Sequence, residues 1–209
     1  MIKEKVMFAF SIAWTIALSV LVTILLSFPL FALDIRWEKL TEIAGMSGNK
    51  LMHNYAVLME YLFNPFRAKL RMPDFPDSDG ALKHFSEVKV LFLFVALLVI
   101  VLIPVVYKFL KKHLQLLFKR GIILAMLVPV ILAVFTFTVG FDNFFILFHQ
   151  LLFRDKTWLF DPTTDPIINV LTDNFFMYCF IIFAIIYEGI LTASLINRRI
   201  IIKSNGKKK

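Results

Sequence analysis

The sequence predicts an all-α membrane protein, with four transmembrane helices and an extracellular helical cap formed by two outer segments. Three observations carry that reading. The chain of 209 residues is 59% hydrophobic with a mean hydropathy of +0.79, too apolar for a soluble domain of this size. It holds four apolar runs long enough to cross about 30 Å of hydrocarbon, which takes roughly 20 helical residues. Its positive charges are also segregated among the connections between those runs.

The first span covers residues 6–33. It follows MIKEK, but the run is far longer than the roughly 7–15 residues of a signal-peptide core, and no A-x-A site follows it. It is therefore read as a retained helix, with Pro29 near its outer end, where a kink or a stop costs least. Residues 34–89 form the first outer segment, 90–110 the second helix and 111–120 a cytoplasmic loop. Residues 121–140 form the third helix, 141–174 the second outer segment, 175–195 the fourth helix and 196–209 a basic cytoplasmic tail.

Charge sets the orientation. Thirteen Lys or Arg fall at Lys3 and Lys5, between Lys108 and Arg120, and from Arg198 onward, and Glu4 is the only acid among them. The two long segments carry 10 basic and 13 acidic residues. The positive-inside rule then places both termini and the middle loop in the cytoplasm, and the long segments outside. Distributed in this way, the net charge of +8 fits anionic lipid rather than nucleic acid. The single cysteine, Cys179, lies in an apolar run and can form no internal disulfide.

The outer segments carry the chemistry. In KLMHNYAVLMEYLF, Lys50–Phe63, apolar residues recur at helical spacing. MPDFPDSDG, residues 72–80, is a turn region, and Asp77, Ser78 or Asp79 can cap the helix that follows. That helix runs through ALKHFSEVK without a breaker, so His84 lies about 9 Å of helix rise before the apolar run, at the outer interface. His84 and Glu87 share a face, and Lys83 and Glu87 can pair one turn apart. The second segment opens with VGFDNFFILFHQLLF, an interfacial helix with Phe145, His149, Leu152 and Phe153 on one face. WLFDPTTDP, residues 158–166, adds turns and places Trp158 at headgroup level. Two histidines from separate segments thus share one side and one depth.

A lone interfacial histidine is usually just an amphipathic side chain. A pair at matching depth with carboxylates nearby points instead to acid–base work near neutral pH. Zinc held by His84 with Glu87 and His149 with Asp161 or Asp165 fits by residue type. However, H-x-x-E arises readily by chance, and no metal or cofactor is expected. His53 is read as structural, and His113 lies among cytoplasmic lysines. Glu188, in the fourth span, is expected to find its partner in the basic loop or tail. The chain has no G-x-S-x-G, P-loop or H-E-x-x-H pattern and no activated cysteine, so no covalent protein intermediate is expected. The phenylalanines of 141–160 serve as packing and as a dry, acyl-compatible wall. The spans show no polar stripe, which counts against a transport path.

NYAVLMEYL (54–62), LKHFSEVKVLF (82–92) and FHQLLFRDKTWLFDPTTDPII (148–168), set among four spans, resemble the bacterial lipoprotein intramolecular transacylase family. The resemblance covers nearly the whole chain and departs from the family pattern at Glu87, where Asp is usual. It implies an enzyme that moves the sn-2 acyl chain of an S-diacylglyceryl-cysteine lipoprotein to that lipoprotein's N-terminal amine. It implies catalytic roles for His84 and His149. Around them, Tyr55, Glu87, Lys89, Phe145, Phe148, Phe153, Trp158, Asp161 and Asp165 are the residues expected to support the reaction or bind substrate. The expected partners are the diacylglyceryl lipoprotein and membrane lipids, with no nucleic acid and no obligate protein partner. The competing readings are a non-catalytic membrane or transporter subunit, and a lipid ester hydrolase using the same histidines.

Overall fold

The computed structural model describes the backbone of residues 1–206 and the side chains of residues 1–196, so the tail's basic side chains from Arg198 onward lie outside the described residues. Among the described residues every regular element is helical: α1 (Ile2–Trp37), α2 (Leu40–Ala44), α3 (Gly48–Phe63), α4 (Asp79–Lys111), α5 (Leu114–Leu117), α6 (Lys119–Val139), α7 (Phe141–Leu152), a 3-10 turn (Pro166–Asn169) and α8 (Asp173–Gly206). Four of these, α1, α4, α6 and α8, are long and apolar enough to cross a membrane. On α4 and α6 most apolar side chains face outward, as at Ile100, Val101, Ile131 and Val134, because acyl chains rather than protein cover them.

The chain divides into two compact units. One comprises Met1–Thr23, Val95–Phe135 and the chain from Ile181 onward. Its core is Ile122, Tyr187 and Leu191, with Phe8, Ile12, Met126 and Phe183 packed around them. Phe8 stacks on Phe118 with ring centroids 4.7 Å apart. A Cβ at Gly121 would meet the Phe8 ring at 2.7 Å, so this close approach requires glycine. Two carbonyls on neighbouring helices take side-chain donors: Trp14 Nε1 donates to Val99 O (2.9 Å) and the Tyr187 hydroxyl to Ala125 O (3.3 Å).

One expectation is overturned on α1, where Ser11, Thr15, Ser19, Thr23 and Ser27 form a buried polar stripe. Each hydroxyl donates to a carbonyl of its own helix three or four residues back, so the polar atoms are satisfied within the helix. Small side chains on one face let neighbouring helices approach closely. α1 also continues through Pro29 to Trp37 rather than ending near it.

The other unit comprises Ile24–Phe94 and Thr136–Phe180 and so contains both long connecting segments. α3 buries Leu51, Tyr55, Leu58, Met59 and Leu62 on one face. The proline-rich turn after it is clamped to its first turns. Asp74 N donates to Asn54 Oδ1 (3.0 Å), while Asn54 Nδ2 and Lys50 Nζ both donate to the Asp74 carboxylate (2.9 Å each). Of the three candidate caps for α4, Ser78 serves: its hydroxyl accepts from Ala81 N at 3.1 Å. His53 is exposed on α3, so the structural role expected of it does not hold.

Candidate active site

His84 lies in the second turn of α4 and is 7% exposed. His149 lies in the last turn of α7. Their ring centroids are 5.8 Å apart. Phe153 packs against both, at 4.6 Å from His84 and 5.7 Å from His149. Phe160 and Phe85 close over His84, while Phe145 (4.1 Å), Trp158 (4.9 Å) and Phe148 (5.8 Å) surround His149. Two imidazolium ions this close in so apolar a shell would repel strongly, so at most one of the pair is positively charged at a time.

His149 Nδ1 is 2.8 Å from Phe145 O, one turn earlier on α7. A carbonyl can only accept, so Nδ1 bears the hydrogen and Nε2 keeps the basic lone pair. Burial pushes the His149 basicity below the ordinary imidazole value, and the Phe145 carbonyl offsets this in part. His84 Nδ1 is enclosed without a hydrogen-bond partner. Burying an orphan lone pair is more tolerable than burying an orphan N–H, which favours the hydrogen on His84 Nε2.

The expected supporting residues divide into groups. Phe145, Phe148, Phe153 and Trp158 form the wall around the imidazoles. Asp161 and Asp165 make no hydrogen bond to His149 among the described residues, and each is engaged elsewhere. Asp161 accepts from the backbone and hydroxyl of Thr163 in its own turn, and the Thr163 N–H holds its carboxyl below the usual carboxylate range. Asp165, 3% exposed, accepts from Ser78 N (2.8 Å), the Ser78 hydroxyl (2.9 Å) and the Thr164 hydroxyl (2.9 Å). It therefore braces the cap of the helix that carries His84. Lys89 donates to Arg67 O at 2.6 Å and covers the Tyr61 ring. Tyr55 shares a 2.5 Å hydrogen bond with Ser27 and stacks on Phe31. It reaches His149 only through a relay of rings: Phe175, Phe176 and Phe145. Glu87 has one buried oxygen without a partner.

The expected Lys83–Glu87 pair is replaced by an ion pair between Lys83 and Asp155, which the sequence reading passed over. The Lys83 ammonium holds the Asp155 carboxyl far below its usual range, with the Thr157 hydroxyl and N–H adding to this. The Asp155 carbonyl accepts from Trp158 Nε1 at 3.0 Å, and Trp158 packs on His149. Asp155 thus grips the neighbour of one histidine with its side chain and the wall of the other with its backbone. The signal was present in DKTW, where Asp-x-Thr predicts a turn closed by the aspartate on the Thr backbone and hydroxyl.

The fold and these contacts define a multi-pass membrane protein with an acid–base-capable pair of imidazoles enclosed by aromatic rings. The family model of the lipoprotein intramolecular transacylase Lit matches residues 5–176, and the chain belongs to that family, which makes it a membrane acyltransferase acting within lipoproteins. Among solved structures it is similar to the membrane-integral transacylase Lit of Bacillus cereus, at 26% identity and a TM-score of 0.86 over 98% of this chain and 96% of that one. It is also similar to two variants of that protein in which one histidine is replaced. The alanine variant matches at 26% identity and TM-score 0.79 over 98% and 94% of the two chains, and the arginine variant at 25% and 0.76 over 99% and 95%. No curated protein matches the chain.

Proposed function

We propose that the chain moves the sn-2 acyl chain of an S-diacylglyceryl-cysteine lipoprotein to that lipoprotein's own N-terminal amine, with His149 as base and His84 as hydrogen-bond donor to the ester. The observation that carries this reading is the enclosed imidazole pair, 5.8 Å apart, with His149 fixed through Nδ1 so that Nε2 is free to take a proton.

Desolvation disfavours the substrate ammonium, so its first proton is lost to solvent as the amine leaves water, and His149 Nε2 stays free for the next. The neutral amine attacks the sn-2 ester carbonyl and an N–C bond forms. The carbonyl oxygen gains charge and is met by His84 Nε2–H. His149 Nε2 takes the extra proton from the newly bonded nitrogen and passes it to the glyceryl oxygen as the C–O bond breaks, so the glyceryl group leaves as an alcohol and the nitrogen is left as a neutral amide. Amine and ester belong to one molecule, so positioning removes much of the entropic barrier. The aromatic wall keeps out the water that would hydrolyse the ester. This chemistry needs no metal and no activated donor.

In this reading the unit holding the histidines faces the outside and both termini are cytoplasmic, following the charge asymmetry. The spans keep the sequence boundaries 6–33, 90–110, 121–140 and 175–195, and the diacylglyceryl group enters from the lipid side. The test is expression in a host that makes diacylglyceryl lipoproteins, with mass spectrometry of their N-terminal peptides. The expected result is loss of the free amine with no change of mass. Loss of one acyl chain means hydrolysis, gain of one means an external donor, and either sinks the proposal.

A further inference from the structure

The turn after α3, NPFRAKLR (64–71), is held rigidly and yet presents a large apolar side chain to nothing in the protein. Phe66 N donates to Asn64 Oδ1 (3.0 Å) and Arg67 N to Asn64 O (3.2 Å). Asn64 Nδ2 reaches back to Glu60 at 2.8 Å, and Arg67 pairs with the same carboxylate. Pro65 restricts the backbone between them. These bonds fix a turn whose tip, Phe66, is 94% exposed. In water, ordering a segment in order to expose a phenylalanine gains nothing.

The depth of the turn explains it. Lys89 Nζ donates to Arg67 O at 2.6 Å, and the rings of Phe63 and Phe92 lie 5.5 Å apart. Lys89 and Phe92 flank the start of the apolar run of α4, so the turn lies where the hydrocarbon begins. Beyond the tip the chain alternates: Leu70 and Met72 are buried, while Lys69 and Arg71 are exposed and pair with no carboxylate among the described residues. Both cations therefore project away from the protein beside Phe66.

We propose that this turn is a lipid-inserting anchor: Phe66 enters the acyl region of the leaflet next to this unit, and Lys69 and Arg71 hold the phosphates of anionic phospholipids at its edge. An apolar tip flanked by cations at the hydrocarbon boundary has the chemistry of an anionic bilayer surface. The proposal is independent of the histidine mechanism, since a dead enzyme would anchor equally well.

The test uses the full chain with Phe66→Cys in a Cys179→Ser background, carrying a nitroxide. It is reconstituted into vesicles of phosphatidylcholine alone or mixed with phosphatidylglycerol. The expected result is a label relaxed by oxygen and shielded from a water-soluble nickel chelate. The association of spin-labelled phosphatidylglycerol should weaken roughly fivefold for each charge removed in Lys69→Gln and Arg71→Gln, the weight of one cation near an anionic surface. A label open to the nickel chelate in both vesicles overturns the insertion. A shielded label with phosphatidylglycerol association unchanged in both variants overturns the headgroup contact.

Discussion

The two units of this molecule are held together by different means. The unit around Ile122, Tyr187 and Leu191 relies on close apolar approach: Gly121 under Phe8, stacked rings, and hydroxyls bonded within their own helix. The unit around the histidines relies on polar side chains that join residues far apart in sequence: Ser78 with Asp165, Lys83 with Asp155, and Asn174 with Glu38. Apolar packing sets distance but tolerates rotation, whereas hydrogen bonds set orientation. Two imidazoles that must present particular ring nitrogens to one centre need orientation, and the directional contacts gather in the unit that carries them.

Seven substitutions test this contrast. His84→Ala and His149→Ala should each lower turnover by a factor on the order of 10² to 10⁴ while the protein still inserts and purifies. His53→Ala and His113→Ala should cost far less, and the lipoprotein peptide assay reads all four. Near-full conversion by either of the first two makes that histidine structural. Asp165→Ala strips two donors on Ser78 of their acceptor inside a buried cap and should cost about 1–3 kcal/mol of stability. Turnover should fall further than the unfolded fraction explains, because the helix carrying His84 loses its brace, and thermal unfolding beside single-turnover rates separates the two. Gly121→Val should cost a similar 1–3 kcal/mol by driving Phe8 off Phe118, with the rate per folded molecule unchanged. If Gly121→Val slowed the chemistry and Asp165→Ala did not, the contrast between the units would be reversed. Cys179→Ser should be the mildest, with activity retained, and an inactive but folded variant would restore a covalent mechanism.

The effect of pH follows from His149, whose folded pKa lies below 6.5 because of burial. The folded state then binds the proton less readily than the unfolded chain. The corresponding stability is fully present above 6.5 and is lost as pH falls from 6.5 toward the folded value. Turnover should follow the neutral imidazole, with an acid limb centred below 6.5 and a level region above it. An acid limb centred above 6.5 would point to another group as the base.

The spans, the caps and the meeting of His84 with His149 were legible in the sequence because each leaves a local mark: a long apolar run, a Ser before a helix, a histidine at a countable depth. What escaped was the choice of partner. Lys83 had an acid one turn away in Glu87 but takes Asp155, 72 residues on, because a folded turn holds that carboxylate ready. Asp161 and Asp165 stood as candidate supports of the histidines, yet backbone and hydroxyl donors closer in the fold hold both. His149 instead uses the carbonyl four residues before it, a partner that every residue possesses and that no motif announces. The hydroxyl stripe on α1 escaped for a related reason, since serine and threonine bonded to their own helix behave as small apolar residues.

That stripe has a bearing on how the protein is made. A helix whose hydroxyls are satisfied by its own carbonyls owes nothing to neighbours that have not yet been synthesised. α1 can leave the insertion machinery as an independent rod and wait in lipid. Its row of small side chains, from Ser11 to Ser27, is then a docking track for the helices that follow.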